Sequence, residues 1–224
     1  MREVNLTFHG LGEPHVLVDA EEKQYWWGKD AFVYLLDQVL DRPANADPRI
    51  SITFDDGNAS DARLALPELA RRGLIGRFFV CAGRVGKTHY LDQSMIKDLL
   101  DGGMIVGSHG MDHRDWRWLD AAQLDIEIGT ARRKLEDLTQ RNVSAVAIPF
   151  GSYDRRVLRR LNQEPWEHIY TSDRGMSRST SRMKRRDIIK AHMQGRNLLA
   201  ELTLTPPAHL HLTRAMSRLY KSLR

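Results

Sequence analysis

Three short polar clusters carry the residue types that chemistry needs: Thr53-Phe54-Asp55-Asp56-Gly57, Ser108-His109-Gly110-Met111-Asp112-His113 and Pro149-Phe150-Gly151-Ser152-Tyr153-Asp154. Asp55 and Asp56 are adjacent carboxylates. Two like charges at close range raise one pKa unless a cation lies near them. Neighbouring side chains leave the backbone in different directions, so one carboxylate can bind a metal while the other handles protons. Taken alone, Asp-Asp-Gly is a turn signal. His109 and His113 are spaced i, i+4. A helical turn there sets both imidazoles on one face, about 5–6 Å apart at Cβ, which suits the bite of a divalent ion such as zinc. An isolated HxxxH pair is a weak signal, since most histidines are structural or exposed. One Asp with two His gives three protein ligands and leaves positions open for water and substrate, the pattern of a catalytic site. A closed structural zinc site takes four ligands, usually thiolates, and the chain has one cysteine, Cys81. Cys81 sits in the apolar run Phe78–Ala82 and reads as a buried core thiol.

These clusters follow apolar runs that read as strands. Strands are expected at Val4–Phe8, Ile50–Phe54, Arg77–Ala82, Met104–Gly107, Val143–Ile148 and His168–Ser172, with a seventh around Asp187–Lys190. Several are nearly continuous in apolar residues, as buried parallel strands are. Helices are expected between them: Ala31–Leu40; Asp61–Arg72, stopped at Gly73; Ser94–Leu100; Ala121–Leu138; and Asp154–Leu161. In Ala121–Leu138 the residues Leu124, Ile128, Ala131, Leu135 and Leu138 make one stripe. Alternating strands and helices imply right-handed βαβ units. Six or seven units are too few for a standard eight-unit barrel, so a shortened, distorted (β/α) barrel and an open doubly wound sheet both fit. In either, the active site lies at the carboxyl ends of the strands, where the three clusters fall.

Composition sets the bounds. The chain has 224 residues, 42% hydrophobic and 28% charged, ordinary for one globular α/β domain. No stretch approaches the roughly 20 apolar residues of a membrane-spanning helix. The N-terminus lacks a long apolar run and reads as a strand rather than a signal peptide, so a cytoplasmic location is the default expectation. The net charge is +5. It concentrates between Arg155 and Lys190, where Arg174, Arg178, Arg182, Lys184, Arg185 and Arg186 lie among others. Such a stretch is either a solvated face or a site for anions. No nucleic-acid motif accompanies it.

At this point the sequence resembles carbohydrate esterase family 4, the polysaccharide deacetylases with a NodB-homology domain. The resemblance runs from about Leu6 to about Lys190. It rests on Thr53-Phe54-Asp55-Asp56-Gly57, on His109/His113, on the Pro-aromatic-Gly of Pro149-Phe150-Gly151, and on Leu6-Thr7-Phe8-His9-Gly10 as a first strand. It implies a distorted, shortened (β/α) barrel of about seven strands. It implies Asp55 as general base, Asp56, His109 and His113 as ligands of a divalent metal (zinc, with cobalt, manganese or nickel as alternatives), and the Phe150 backbone N–H as an oxyanion donor. The chain departs from the pattern at Ala147, where many members carry an Arg that orients the catalytic Asp. Arg186, or else Arg185, is the expected replacement. The family's Leu-x-His general acid is matched poorly. His209 and His211 in Ala208–Leu212, and His192, are the candidates.

The substrate is expected to be an N-acetylated carbohydrate, with Trp116, Tyr153 and Asp173 as contacts and Trp26, Trp27 and Trp118 nearby, since aromatic faces suit sugar rings. A nucleotide- or lipid-linked precursor fits a cytoplasmic enzyme with a basic face. Residues 1–206 read as the deacetylase domain. Residues 207–224 read as a basic amphipathic helix, with Leu212, Ala215, Met216, Leu219 and Leu223 in one stripe and Arg214, Arg218, Lys221 and Arg224 elsewhere. That helix either packs on the domain or makes peripheral contact with a membrane surface. A hydrolase of a non-sugar amide or imide on the same scaffold, and a non-catalytic carbohydrate binder, are the competing functions. The full Asp55/Asp56/His109/His113 set speaks against the binder, which has no use for an open metal position beside a free carboxylate.

Overall fold

Seven parallel strands close on themselves in the computed structural model, which describes residues 1–16, 18–195, 197–204 and 208–223, with only the backbone of 208, 209 and 211. The elements are β1 (Arg2–Phe8), β2 (Gly10–Leu11), β3 (Trp26–Trp27), α1 (Lys29–Leu40), β4 (Arg49–Phe54), α2 (Leu66–Ala70), β5 (Gly76–Val80), α3 (Gln93–Asp101), β6 (Ile105–Ser108), α4 (Ala121–Asp125), α5 (Ala131–Thr139), β7 (Ala145–Ala147), α6 (Arg155–Leu161), β8 (His168–Thr171), β9 (Ser177–Arg178), β10 (Met183–Ile188), α7 (Leu198–Thr203) and α8 (Ala208–Leu223). Around the barrel the order is β1, β4, β5, β6, β7, β8, β10, and β10 closes on β1 with Asn5 opposite Arg186 and Thr7 opposite Ile188. The connection from β8 to β10 carries the short strand β9, antiparallel to β1, where a regular barrel would place a helix. This is the distorted, shortened (β/α) barrel, not the open sheet.

The period-2 geometry of a strand divides each one between two environments. Val4, Leu6, Phe8, Ile52, Phe54, Phe78, Val80, Val146 and Ile169 share one apolar cluster with Phe32, Leu36, Leu69, Ile96, Leu124, Leu135 and Leu161 from the helices. Burial of each such side chain stabilises the fold by about 1.5–3 kcal/mol. Residues of the other parity fill the barrel: Phe79, Ala145, Ala147 and Tyr170 form a second small cluster, and Asn5, Thr7, Thr53, Lys184 and Arg186 are buried too.

That polar interior explains one displaced strand. The last strand, expected around Asp187–Lys190, is β10, Met183–Ile188. Its Lys184 points inward to Glu3 at 2.8 Å, so a hydrophobic pattern does not reveal it. Two helices expected to be uninterrupted contain π-helical turns, Asp61–Ala65 before α2 and Ile126–Thr130 between α4 and α5. The stop at Gly73 holds: its φ is +64°, and Leu74 N–H donates to Leu69 O at 3.0 Å.

The C-terminal helix sits the other way round from a helix packed by its apolar face. Leu212, Met216, Leu219 and Leu223 of α8 are 58–67% exposed. Arg214, Arg218, Lys221 and Ser222 are half-buried, and Lys221 Nζ holds Asp173 at 2.8 Å and Gly151 O at 3.3 Å. Arg224 lies outside the described residues. Among those described, no helix is long and apolar enough to cross a membrane.

Candidate active site

The carboxyl end of β4 presents Asp55 and Asp56, both 3% exposed. Asp55 N–H donates to Phe8 O at 2.9 Å, which continues the sheet by one residue. Asp56 and Gly57 then take φ of +76° and +74°. The turn signal and the site are thus the same feature: the left-handed turn parts the two carboxylates. Asp56, His113 (φ +57°) and Phe150 (φ +58°) are non-glycine residues held in this strained region at one place, a strain worth on the order of 1–3 kcal/mol each.

Asp55 meets Arg186 in a two-point ion pair, Nη1 to Oδ1 at 2.5 Å and Nη2 to Oδ2 at 2.8 Å. Arg186 reaches in from β10 and is 1% exposed, with Phe79 and Tyr170 rings 5.3 and 5.9 Å from its guanidinium carbon. It is the guanidinium that Ala147 cannot supply. Burial alone raises the Asp55 pKa, but Arg186 and then His109 outweigh it and hold the carboxyl at about 2. Asp55 is therefore ionised at any working pH.

His109 and His113 are not on a helical turn. Residues 109–115 form a loop after β6. Gly110 turns it at φ +82°, where a Cβ would stand 2.5 Å from Glu127 Oε2. Glu127, 1% exposed, is the anchor of this loop. It accepts hydrogen bonds from Met111 N at 3.0 Å, Asp112 N at 3.1 Å and Trp116 Nε1 at 3.2 Å. The second π-helical turn delivers it, and such turns recur at functional sites. The loop is also tied to the segment after β5, by Ala82 N–H to Gly110 O and Gly83 N–H to Met111 O.

Three ligand atoms converge here. Asp56, His109 and His113 each offer one within 4.8 Å of the others. His113 Nε2 is 3.3 Å from Asp56 Oδ1, and His109 Nε2 is 3.8 Å from it. His109 Nδ1 lies 2.9 Å from Ala147 O. A carbonyl only accepts, so Nδ1 carries the proton and Nε2 turns its lone pair inward, the orientation of a metal ligand. Asp56 Oδ1 is buried with no hydrogen-bond partner. Burial pushes the His113 imidazole down to about 4, so it is uncharged at neutral pH. A buried carboxylate oxygen without a hydrogen bond, with Arg84 Nη1 3.5 Å away and two imidazole nitrogens facing it, is a donor set that fits a divalent cation.

These groups line a cavity of about 410 Å³. His9, Glu22, Tyr25, Arg84 and Phe150 line it as well. His9 has Nδ1 buried without a partner, and its ring lies 5.0 Å from that of Tyr25. Behind the turn, Asp61 is fully buried, and burial, then Asp56 and Asp55, push its carboxyl well above the usual range. His9 lies in the first-strand motif, where its type alone assigns it no role. Glu127 is a single charge within the Ala121–Leu138 segment, and Glu22 and Tyr25 lie in a short 3-10 turn that no apolar pattern announces.

Other expected contacts fall elsewhere. Trp116 is 0% exposed and donates to Glu127, so its faces cannot receive a sugar. Trp26 and Trp27 are buried, and Trp118 is exposed but does not line the cavity. Tyr153 is buried and donates to Asp173 at 2.7 Å. Lys221 pairs with that Asp173, so Tyr153 and Asp173 anchor α8 rather than line the cavity. Arg185 points to a different cleft, and His192 does not line this one. The His209 and His211 side chains lie outside the described residues.

A family model described as polysaccharide deacetylase matches residues 42–168. YxkH of Bacillus subtilis (strain 168), whose name places it among polysaccharide deacetylases, is 23% identical over 126 residues, 56% of this chain and 45% of that protein. The chain thus spans less than half the length of this curated relative. Among solved structures, the polysaccharide deacetylase BC0361 from Bacillus cereus superposes with a TM-score of 0.78 at 19% identity, covering 90% of this chain and 69% of its own. The Streptococcus pyogenes deacetylase PplD, in complex with acetate, does so at 0.79 and 19%, covering 92% and 99%. IcaB from Ammonifex degensii gives 0.74 and 19%, covering 91% and 97%. At these identities the structures speak to the fold.

Proposed function

The chain belongs to the polysaccharide deacetylase family, and from that premise we propose that it hydrolyses the acetamido group of an N-acetylated carbohydrate with a divalent metal held by Asp56, His109 and His113. The observation that carries this reading is the convergence of these three ligand atoms beside a separate, ionised Asp55. A divalent ion bound there supplies Lewis acidity towards the carbonyl and lowers the pKa of water from about 15.7 towards about 7. Zinc suits two imidazoles and a carboxylate.

The chain's own residues do the rest. Asp55 accepts a proton from the attacking water. Arg186 keeps both carboxylate oxygens in register, and negative charge developing beside Asp55 raises its proton affinity as the reaction proceeds. Phe150, fixed at φ +58° with its ring 4.5 Å from that of His113, offers its backbone N–H to the developing oxyanion. Such donors are typically worth about 2.7–4 kcal/mol. His9 is the imidazole in the cavity not committed to the ligand set, and burial lowers its pKa; we assign it the relay of the proton that Asp55 takes from water, which it accepts and then passes to the leaving amine. Tyr25 and the 63% exposed Phe150 supply the apolar faces for a sugar ring.

The finer expectation of a nucleotide- or lipid-linked precursor rested on a cytoplasmic location and a basic face. Asp19, Glu21 and Glu22 line the cavity, and Arg84 is the one cation beside them among its described lining residues. A diphosphate there would meet repulsion, so an uncharged glycan fits better. The test is acetate release from a panel of N-acetylated sugars and oligosaccharides, with metal content measured in wild type and His113→Ala. Metal retained by the variant refutes the ligand assignment, and acetate released from no glycan refutes the substrate class.

A further inference from the structure

Five arginines converge on a concavity that the proposed chemistry does not use. A cleft of about 380 Å³ runs along the barrel wall between β9, the start of β10 and α8. Arg174, Arg178, Arg185, Arg214 and Arg218 line it, Arg2 stands with them, and no carboxylate does. Arg2 is neutralised by Asp47 at 3.0 Å. None of the other five has an ion pair with a carboxylate among the described residues. Arg72, Arg117, Arg132, Arg160 and Arg186 each hold an acid at 2.8 Å or closer, while Arg77, Arg156 and Arg182 lie apart from one another and donate to Ser51, to the carbonyls of Leu119 and Arg117, and to Asn162; the cleft differs in gathering five such cations in one place.

The acids nearest the cleft are spoken for. Asp173 holds Lys221 and Tyr153, and Asp187 Oδ2 accepts Gly175 N–H at 3.1 Å. Burial, and then the neighbouring Arg218, push the Arg185 pKa down against the pull of Asp173, and Asp187 feels Arg214 and Arg174 without forming an ion pair with either; two acids at longer range face five guanidinium groups. The five come from four separate segments: the turn after β8, β9, β10 and α8. Sequence proximity therefore does not account for their meeting. The basic stretch is not one face either, since Lys184 and Arg186 of the same run point into the barrel.

Guanidinium forks match tetrahedral oxyanions in a two-point geometry, and a volume of this size takes a small molecule rather than a macromolecule. We propose that this cleft binds a phosphoryl group, as a small anion carrying two or more negative charges, at a site separate from the hydrolytic cavity. Arg2 and Met183, which line it, open β1 and β10 at the end of the barrel opposite the metal-ligand set. The group can arrive as a free phosphate or diphosphate, or on a lipid headgroup seated beside the exposed stripe of α8.

The test is titration calorimetry of pyrophosphate into the full chain at low and at physiological salt, with flotation of the chain on phosphatidic-acid vesicles as the second arm. Saturable 1:1 binding of pyrophosphate is expected. It should weaken about tenfold or more in Arg214→Gln/Arg218→Gln, as the loss of charge-assisted hydrogen bonds implies. Arg133→Gln, which removes an exposed arginine of α5, should leave it unchanged. Should the double variant loosen α8, Arg178→Gln on β9 repeats the test without touching the helix. Vesicle binding that these same variants abolish, without pyrophosphate binding, assigns the phosphoryl group to a lipid. Failure of both probes to bind, or binding that the cleft variants leave intact, overturns the proposal.

Discussion

Glu127→Gln is the sharpest probe of how the fold builds the site, because Glu127 touches no ligand atom and yet fastens the loop that carries His113. Its Oε2 accepts two N–H groups and its Oε1 a third, at 3.0–3.2 Å, in a fully enclosed position. Glutamine keeps the shape but turns one oxygen into a donor. At best it faces Asp112 N–H, so one buried donor confronts another and two hydrogen bonds lose their charge assistance. An unmade buried hydrogen bond costs about 1–3 kcal/mol and the lost charge adds to it, giving about 2–4 kcal/mol overall. The chain relieves the clash by letting residues 110–113 loosen. Metal binding must then re-order them, which weakens metal affinity by roughly 10–100-fold, the usual range for such supporting residues. Urea unfolding of the metal-free protein reads the first number, and competition with a chromogenic chelator reads the second. If Glu127→Gln matches wild type in both, the loop is held by something else and the anchor role is wrong.

Asp55→Asn should retain metal while losing about 10²–10⁴-fold in kcat; turnover near wild type would remove its role as base. Arg186→Met strands a buried carboxylate and should destabilise by about 3–5 kcal/mol, whereas Arg186→Lys keeps the charge and should lower kcat with little change in KM. Folding lowers the His113 pKa from 6.5 to about 4, so its contribution is whole above pH 6.5 and is lost as pH falls towards 4. Metal-free wild type should therefore lose about 3 kcal/mol more than His113→Gln between pH 7 and 4, and parallel stability curves would contradict this. Trp116→Phe should cost about 2–4 kcal/mol of stability, for one hydrogen bond and the cavity the smaller ring leaves, and leave the KM for glycan alone, while Tyr25→Ala should raise KM; the reverse pattern would return Trp116 to the substrate.

What the residues declared by themselves was local. The apolar runs of β1, β4, β5 and β8 and the stripes of α1 and α5 are legible because burial imposes a period on a regular backbone. The Asp55-Asp56 and His109/His113 clusters are legible because metal and proton chemistry needs those types at strand ends. What the sequence did not contain was partnership across distance. Arg186 finds Asp55, 131 residues away, only because β10 closes on β1. Lys184 and Arg186 hid their strand because the closed barrel keeps a polar interior, and periodicity counts only apolar residues. His113 reaches Asp56 through a loop hung on Glu127, where spacing alone suggested a helix. Trp116 and Tyr153 have the composition of a sugar site and were withdrawn from it by burial. α8 shows the same division: its amphipathic pattern was plain, but only Asp173 and Gly151, set in place by the fold, decided which face turned inward. Type and spacing fix what a residue is able to do, and the closure of the chain decides what stands within a few ångströms of it.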